Sequence, residues 1–125
     1  RPPPISTLLP YTTLFRSRAR IAGQTKFIRY TSNTVTDPEM LDKELAAVRV
    51  RGYAVDEEEH DIGVRCVGAP IWGYHGEVVA SISISGPAVR ITRDRVPVLA
   101  ELAIAAARDI SRELGANTAI RIGTA

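Results

Sequence analysis

The sequence predicts an α+β fold in which an antiparallel sheet is flanked by helices. Three observations predict it: a capped apolar stripe at helical spacing between Asp37 and Gly52, two strand-like runs joined by a glycine-containing connection between Val64 and Ser85, and a second helical stripe between Val96 and Leu114. With 125 residues and 45% hydrophobic content, the chain has room for one domain with one core.

The first helix begins at Asp37, whose carboxylate suits an N-cap, with Pro38 at N1 and Glu39 near the positive end of the dipole. Leu41, Leu45 and Val48 recur at i, i+4 and i+7, so one face lies on a core while Lys43, Glu44 and Arg49 occupy other faces. Arg49 and Arg51 suit the last turn, and Gly52 suits the left-handed position that ends it. Upstream, Lys26–Tyr30 is a short apolar run of strand or helix-stub character, and Thr31–Thr36 is a polar connection.

Tyr53–Val55 is predicted as a short strand leading into the acidic run Asp56-Glu57-Glu58-Glu59-His60-Asp61. Such a run is most simply a solvated turn. Adjacent residues cannot all converge on one ion, and neither HExxH nor calcium-loop spacing is present, so no metal is expected there.

Val64–Ile71 reads as a buried strand, and Trp72–Gly76 as a hairpin connection. The returning strand, Glu77–Ser85, places Val78, Ala80, Ile82 and Ile84 on a core face and Val79, Ser81, Ser83 and Ser85 on the other. The hairpin sets Cys66 beside the serine face, and the acidic turn is close enough in sequence to reach over the same sheet. Hydroxyls, a thiol and a carboxylate above an apolar floor form the sparse polar set that orients a small ligand, although serines on an outward face are also commonly just wet. Cys66 is the only cysteine, and its spacing to His60 and His75 suggests no catalytic dyad.

Gly86-Pro87 ends that strand. In the second helix Pro97 belongs in a first turn, which argues for Asp94 as N-cap. Val96, Leu99, Ala103, Ala106, Ile110 and Leu114 form the predicted stripe, and Gly115 the stop. The alanine-rich stretch Ala103–Ala107 allows close packing on a sheet or on another subunit, and Ala116–Ala125 reads as a tail.

Charge excludes one class of partner for this part of the chain. The formal net charge is +2, but Arg1, Arg16, Arg18 and Arg20 supply more than the whole excess, so the rest is slightly acidic and offers no basic surface for DNA. Residues 1–20 have no helical or strand period, and Thr7–Ser17 resembles an in-frame translation of a sequencing adaptor. The expectation is a non-native or disordered leader, with residues 21–125 as the folded part and a natural N-terminus beyond the given sequence. No apolar run approaches the roughly 20 residues of a membrane span. One cysteine and no secretory signal point to a cytoplasmic protein.

Gly52, Asp56 and Glu59, then Cys66-Val67-Gly68, Ile71-Trp72 and the Ser83–Pro87 ending resemble the effector-binding domain of the IclR family of bacterial transcriptional regulators over residues 31–115. Gly73 departs from the Asp or Asn usual at its position. The resemblance implies a ligand-sensing fold related to GAF and PAS domains, N-terminally truncated here, with no cofactor and no enzymatic activity. It implies a small organic or aromatic acid as effector, contacted at Asp56, Val64, Cys66, Ser83 and Ser85. Ser83, Ser85 and the Cys66 thiol would hydrogen-bond it, Val64 would supply apolar wall, and Asp56 would accept from a ligand hydroxyl or a bound water. It also implies a homodimer or homotetramer in the full-length protein, and DNA binding only through an N-terminal winged helix-turn-helix that this chain lacks. The competing reading is a stand-alone small-molecule hydrolase or binding module using Cys66 and the acidic turn.

Overall fold

A computed structural model describes residues 27–117, in which helix α1 (Pro38–Arg51), strands β1 (Ala54–Glu57), β2 (Val64–Trp72) and β3 (Val78–Pro87), and helix α2 (Val96–Glu113) follow in order. The leader assigned to residues 1–20, Lys26, and most of the tail after Gly115 lie outside the described residues.

The three strands form one antiparallel sheet in the order β1-β2-β3. α2 covers one face. Val67, Ala69 and Ile71 of β2 are buried against Val96, Ala100, Ala103 and Ala107 of α2, with Val55, Ile82 and Ile84 completing the layer. Alanines let the helix approach the sheet closely, and burying an aliphatic side chain such as Val67 contributes roughly 1.5–3 kcal/mol.

α1 forms as its sequence requires. The Asp37 carboxylate accepts from the Glu39 N–H at 2.7 Å, Pro38 opens the first turn, and Gly52 closes the helix at φ 83°. Leu41 and Leu45 pack with Phe27 and Val35 in a second small core, and Val48 is also buried. The C-terminal end of α1 approaches α2, since a Cβ on Gly52 would lie 3.9 Å from Ile104 Cδ1.

Several expectations change. Residues 27–30 form neither strand nor helix. β1 runs to Glu57 and not to Val55, because Asp56 and Glu57 pair with Cys66 and Arg65 in the ladder. β2 extends to Trp72 and β3 to Pro87. A register shift at Ile71/Trp72 leaves Val79 as an extra residue, so Val78 pairs with Trp72 and shares its face and not the core face of Ile82 and Ile84. Ala80 is exposed, although its ladder partner Ile71 is buried.

The start and register of α2 also differ from expectation. Arg95, not Asp94, is the N-cap: the N–H groups of Arg95 and Val96 both donate to the Thr92 carbonyl, so a preceding turn delivers the chain directly into the helix. Pro97 does lie in the first turn. The buried stripe is Val96, Ala100, Ala103, Ala107 and Ser111, whereas Ile110 and Leu114 are exposed and Leu99 only half-buried. The smaller side chains win the contact because they permit a shorter helix–sheet distance. Gly115 ends the helix at φ 82° as expected.

Candidate functional site

The face of the sheet away from α2 carries the predicted residues. Register sets Asp56 opposite Cys66 and Cys66 opposite Ser85, so one row crosses all three strands. The next row is Ala54, Gly68 and Ser83. Directly paired residues share a face, and Val64 precedes Cys66 by two positions, so all five predicted residues stand on the same side. Asp56 is buried at 5% exposure, Cys66 is half-buried, and Ser83, Ser85 and Val64 are exposed. Gly68 carries no side chain in that second row, and a Cβ there would lie 3.9 Å from Ser83 Cβ.

The acidic turn closes the Asp56 end, and it is a built loop more than a solvated one. Asp56 Oδ1 accepts from the Glu59 N–H at 2.8 Å, and Glu59 Oε2 from the Glu57 N–H at 3.1 Å. Glu58 takes a left-handed φ of 57°, which an L side chain adopts at a cost. Two threonines hold the loop in that shape: Thr31 Oγ1 donates to the Glu58 carbonyl at 2.6 Å, and Thr34 Oγ1 donates to the Glu59 carbonyl. Glu59 is consequently buried at 5% exposure. Its burial was not readable from the sequence; the only signal was the Gly52, Asp56, Glu59 spacing.

Environment decides how these groups ionise. Burial pushes the Asp56 carboxyl up, with Asp61 and Glu57 adding to the rise and the Glu59 N–H and His60 opposing it. Burial likewise pushes the Cys66 thiol up, against a hydrogen bond with Ser85, and the charges of Asp56 and Glu59 act in the same direction as burial. Cys66 is therefore a protonated thiol at neutral pH, suited to hydrogen bonding and not to nucleophilic attack. His60 Nδ1 lies 2.7 Å from Asp61 Oδ2, and His75 stands edge-on to Tyr74 in the hairpin connection. Among the described residues no group of three or more His, Cys, Asp or Glu side chains is placed to hold a metal ion.

On the opposite face, Glu57 accepts from Arg65 Nη2 at 2.6 Å and Nε at 3.0 Å, and from Arg93 Nε at 2.9 Å. Arg65 also donates to the carbonyls of Ala88 and Ile91, tying the acidic turn to the approach to α2. Burial alone would raise the Glu57 carboxyl, but the two guanidinium groups outweigh it and hold it low. A cavity of about 490 Å³ opens on this side at the β1 edge, lined by Met40, Val55, Val96 and the paired Arg51, Glu57 and Arg93. Two of its guanidinium groups are matched by carboxylates, Arg51 by Glu44 and Arg93 by Glu57, while the third, Arg29, donates to the Thr31 and Ser32 carbonyls and to Thr36 Oγ1.

Comparison with known proteins decides the family. The family model described as "Bacterial transcriptional regulator IclR C-terminal" matches residues 8–112. The chain belongs to the IclR family. Its relatives include the HTH-type transcriptional repressor AllR of Escherichia coli (strain K12), 46% identical over 92 residues that make up 74% of this chain and 34% of AllR. The crystal structure of Thermotoga maritima IclR superposes with a TM-score of 0.82 at 36% identity, covering 88% of this chain and 44% of that one. The inducer-binding domain of Acinetobacter PobR, a double mutant solved with 3-hydroxy benzoic acid, shares the fold at 21% identity and a TM-score of 0.70, over 87% of this chain and 61% of that one. The chain spans about a third of the length of the curated relatives it matches. It corresponds to the C-terminal, effector-binding domain of an IclR-type regulator, and its relatives are regulators and not hydrolases. No helix among the described residues is long and apolar enough to cross a membrane.

Proposed function

We propose that this chain is the effector-sensing part of a cytoplasmic IclR-family DNA-binding regulator, and that its effector, a small organic or aromatic acid, binds on the sheet face away from α2. The carrying observation is the row Asp56, Cys66, Ser85 with Ser83 beside it. Ser83, Ser85 and Cys66 supply hydrogen bonds to the ligand, Val64 supplies an apolar flank, and Asp56 closes the buried end. The fold accommodates a hydroxylated aromatic acid in PobR, which supports this class of ligand.

Operator binding falls to the winged helix-turn-helix of the family. The effector shifts operator affinity by preferring one arrangement of a homodimer or homotetramer, because a ligand moves an equilibrium only as far as its affinities for the two states differ. Titration calorimetry of the chain with a panel of organic and aromatic acids tests the site. Replacing both serines, Ser83→Ala with Ser85→Ala, removes two hydroxyl donors worth about 1 kcal/mol or more each to a charged ligand. Unchanged affinity in the double variant refutes the assignment.

A further inference from the structure

We infer that this site takes up one proton with each carboxylate ligand, and that Asp56 holds it, donating from its carboxyl group to the carboxylate of the ligand. The inference rests on the ligand face proposed above and specifies the ionic species that face accepts.

Among the described residues the strands contain a single basic residue, Arg65, and it leaves from the opposite face, where Glu57 and the Ala88 and Ile91 carbonyls occupy it. A carboxylate resting on Ser83, Ser85 and Cys66 therefore meets Asp56 with no strand cation between them. Asp56 is 5% exposed, so water screens its side of the pair poorly. Two carboxylates at hydrogen-bond distance in such a place do not both stay ionised; one proton is shared between them.

The groups around Asp56 reinforce this. From its own loop it lies near Asp61 and His60, with the charge of Glu57 acting from the opposite face of the sheet, and from β2 it faces Cys66. Glu59 contributes a backbone donor to Asp56 and a second carboxylate near Cys66. The 31–34 turn brings neutral hydroxyls, which are engaged with loop carbonyls. Among these described groups His60 is the one that can bear positive charge, and its Nδ1 is directed to Asp61. Burial already raises the Asp56 carboxyl before any ligand arrives. Asp56 Oδ1 accepts from the Glu59 N–H, so the other oxygen carries the proton. The proton comes from solvent: an ionised Asp56, one proton and a ligand anion give a neutral Asp56 hydrogen-bonded to that anion.

Calorimetric titration of the full chain with acetate and with 3-hydroxybenzoate, at about pH 5.5 and about pH 7.5 in pairs of buffers differing in ionisation enthalpy, reads the proton directly. The expected result is uptake approaching one proton per ligand and an affinity that falls by up to about tenfold for each pH unit above the Asp56 pKa. Asp56→Asn, which keeps an acceptor for the Glu59 N–H and adds a permanent donor, then binds at the higher pH as tightly as wild type at the lower, without uptake. His60→Gln keeps both the uptake and the pH dependence. Binding with no uptake in the wild type overturns the proton linkage and leaves the site standing. Uptake that survives Asp56→Asn and disappears in His60→Gln overturns the assignment to Asp56. Failure of both acids to bind at either pH overturns the linkage together with the acid-binding reading. The wild-type buffer comparison decides the matter even if a variant does not fold.

Discussion

Glu57→Gln is the sharpest test of how the acidic turn is held. Glu57 Oε1 receives three guanidinium N–H groups, two from Arg65 and one from Arg93. The Arg65 side chain is only 7% exposed, whereas those of Glu57 and Arg93 are 34% and 78% exposed. Breaking a fully buried pair costs about 3–5 kcal/mol, because a charge is left uncompensated, and an exposed pair contributes about 1 kcal/mol or less. With one partner buried and the other a third exposed, the expected loss is about 2–3 kcal/mol. For a domain of this size, at about 4 °C per kcal/mol, that lowers Tm by about 8–12 °C.

The loss is pH-dependent with a definite sign. Because Glu57 is held below its ordinary value of 4.5, the unfolded chain binds more protons in the interval between the two pKa values, and stability rises with pH there. The contribution is complete above 4.5 and vanishes as pH falls through the folded pKa, so wild type and variant converge in strong acid. Thermal unfolding followed by circular dichroism across that range provides the measurement. If Glu57→Gln costs no more than Arg93→Ala at neutral pH, the buried guanidinium of Arg65 is not what the carboxylate compensates, and the reasoning fails.

Other outcomes follow from single contacts. Ser111→Ala removes the acceptor of the Trp72 N–H and the donor to the Ala107 carbonyl, leaving a part-buried N–H without its partner, and should cost about 1–3 kcal/mol in a urea titration. Asp56→Asn should stabilise the unliganded chain at neutral pH. The folded Asp56 carboxyl is raised above 3.8, so the folded state binds more protons than the unfolded state in the window above that value, and stability falls as pH rises through it; a Tm difference that is absent at low pH and grows toward neutrality is expected. Gly115→Ala forces a φ of 82° on a residue with a Cβ and sets that atom 2.9 Å from Tyr74 Cδ2, so the urea midpoint should drop by an amount corresponding to about 1–2 kcal/mol.

The parts of the fold that the sequence made legible are those with a sharp local cause. Asp37, Pro38 and Gly52 delimit α1 because each has a backbone preference that few positions satisfy. The alternation from Ala80 to Ser85 sets the serines apart from Ile82 and Ile84 because a strand has a period of two, and the hairpin then fixes Cys66 beside them. What escaped is what depends on distant partners. Alanine carries a weak apolar signal, so the stripe of α2 was misplaced toward its larger neighbours, although Ser111 lies four residues after Ala107 on the true stripe. The bulge at Val79 leaves no mark in composition. Glu57, Glu59 and Arg65 look like solvated charges in sequence, and only the threonine turn and the β3–α2 connection reveal that two of them are buried.

In β1 consecutive side chains leave the strand on opposite sides, so Asp56 belongs to the proposed ligand face and Glu57 to the guanidinium clamp, with their Cα atoms only about 3.8 Å apart. The sheet is thus a partition with a pin through it. On the proposed site, a ligand that moved the Asp56 backbone would move Glu57, whose carboxylate holds Arg93 at the threshold of α2. The proposed ligand contact and the residue that anchors the helix approach are joined by a single peptide bond.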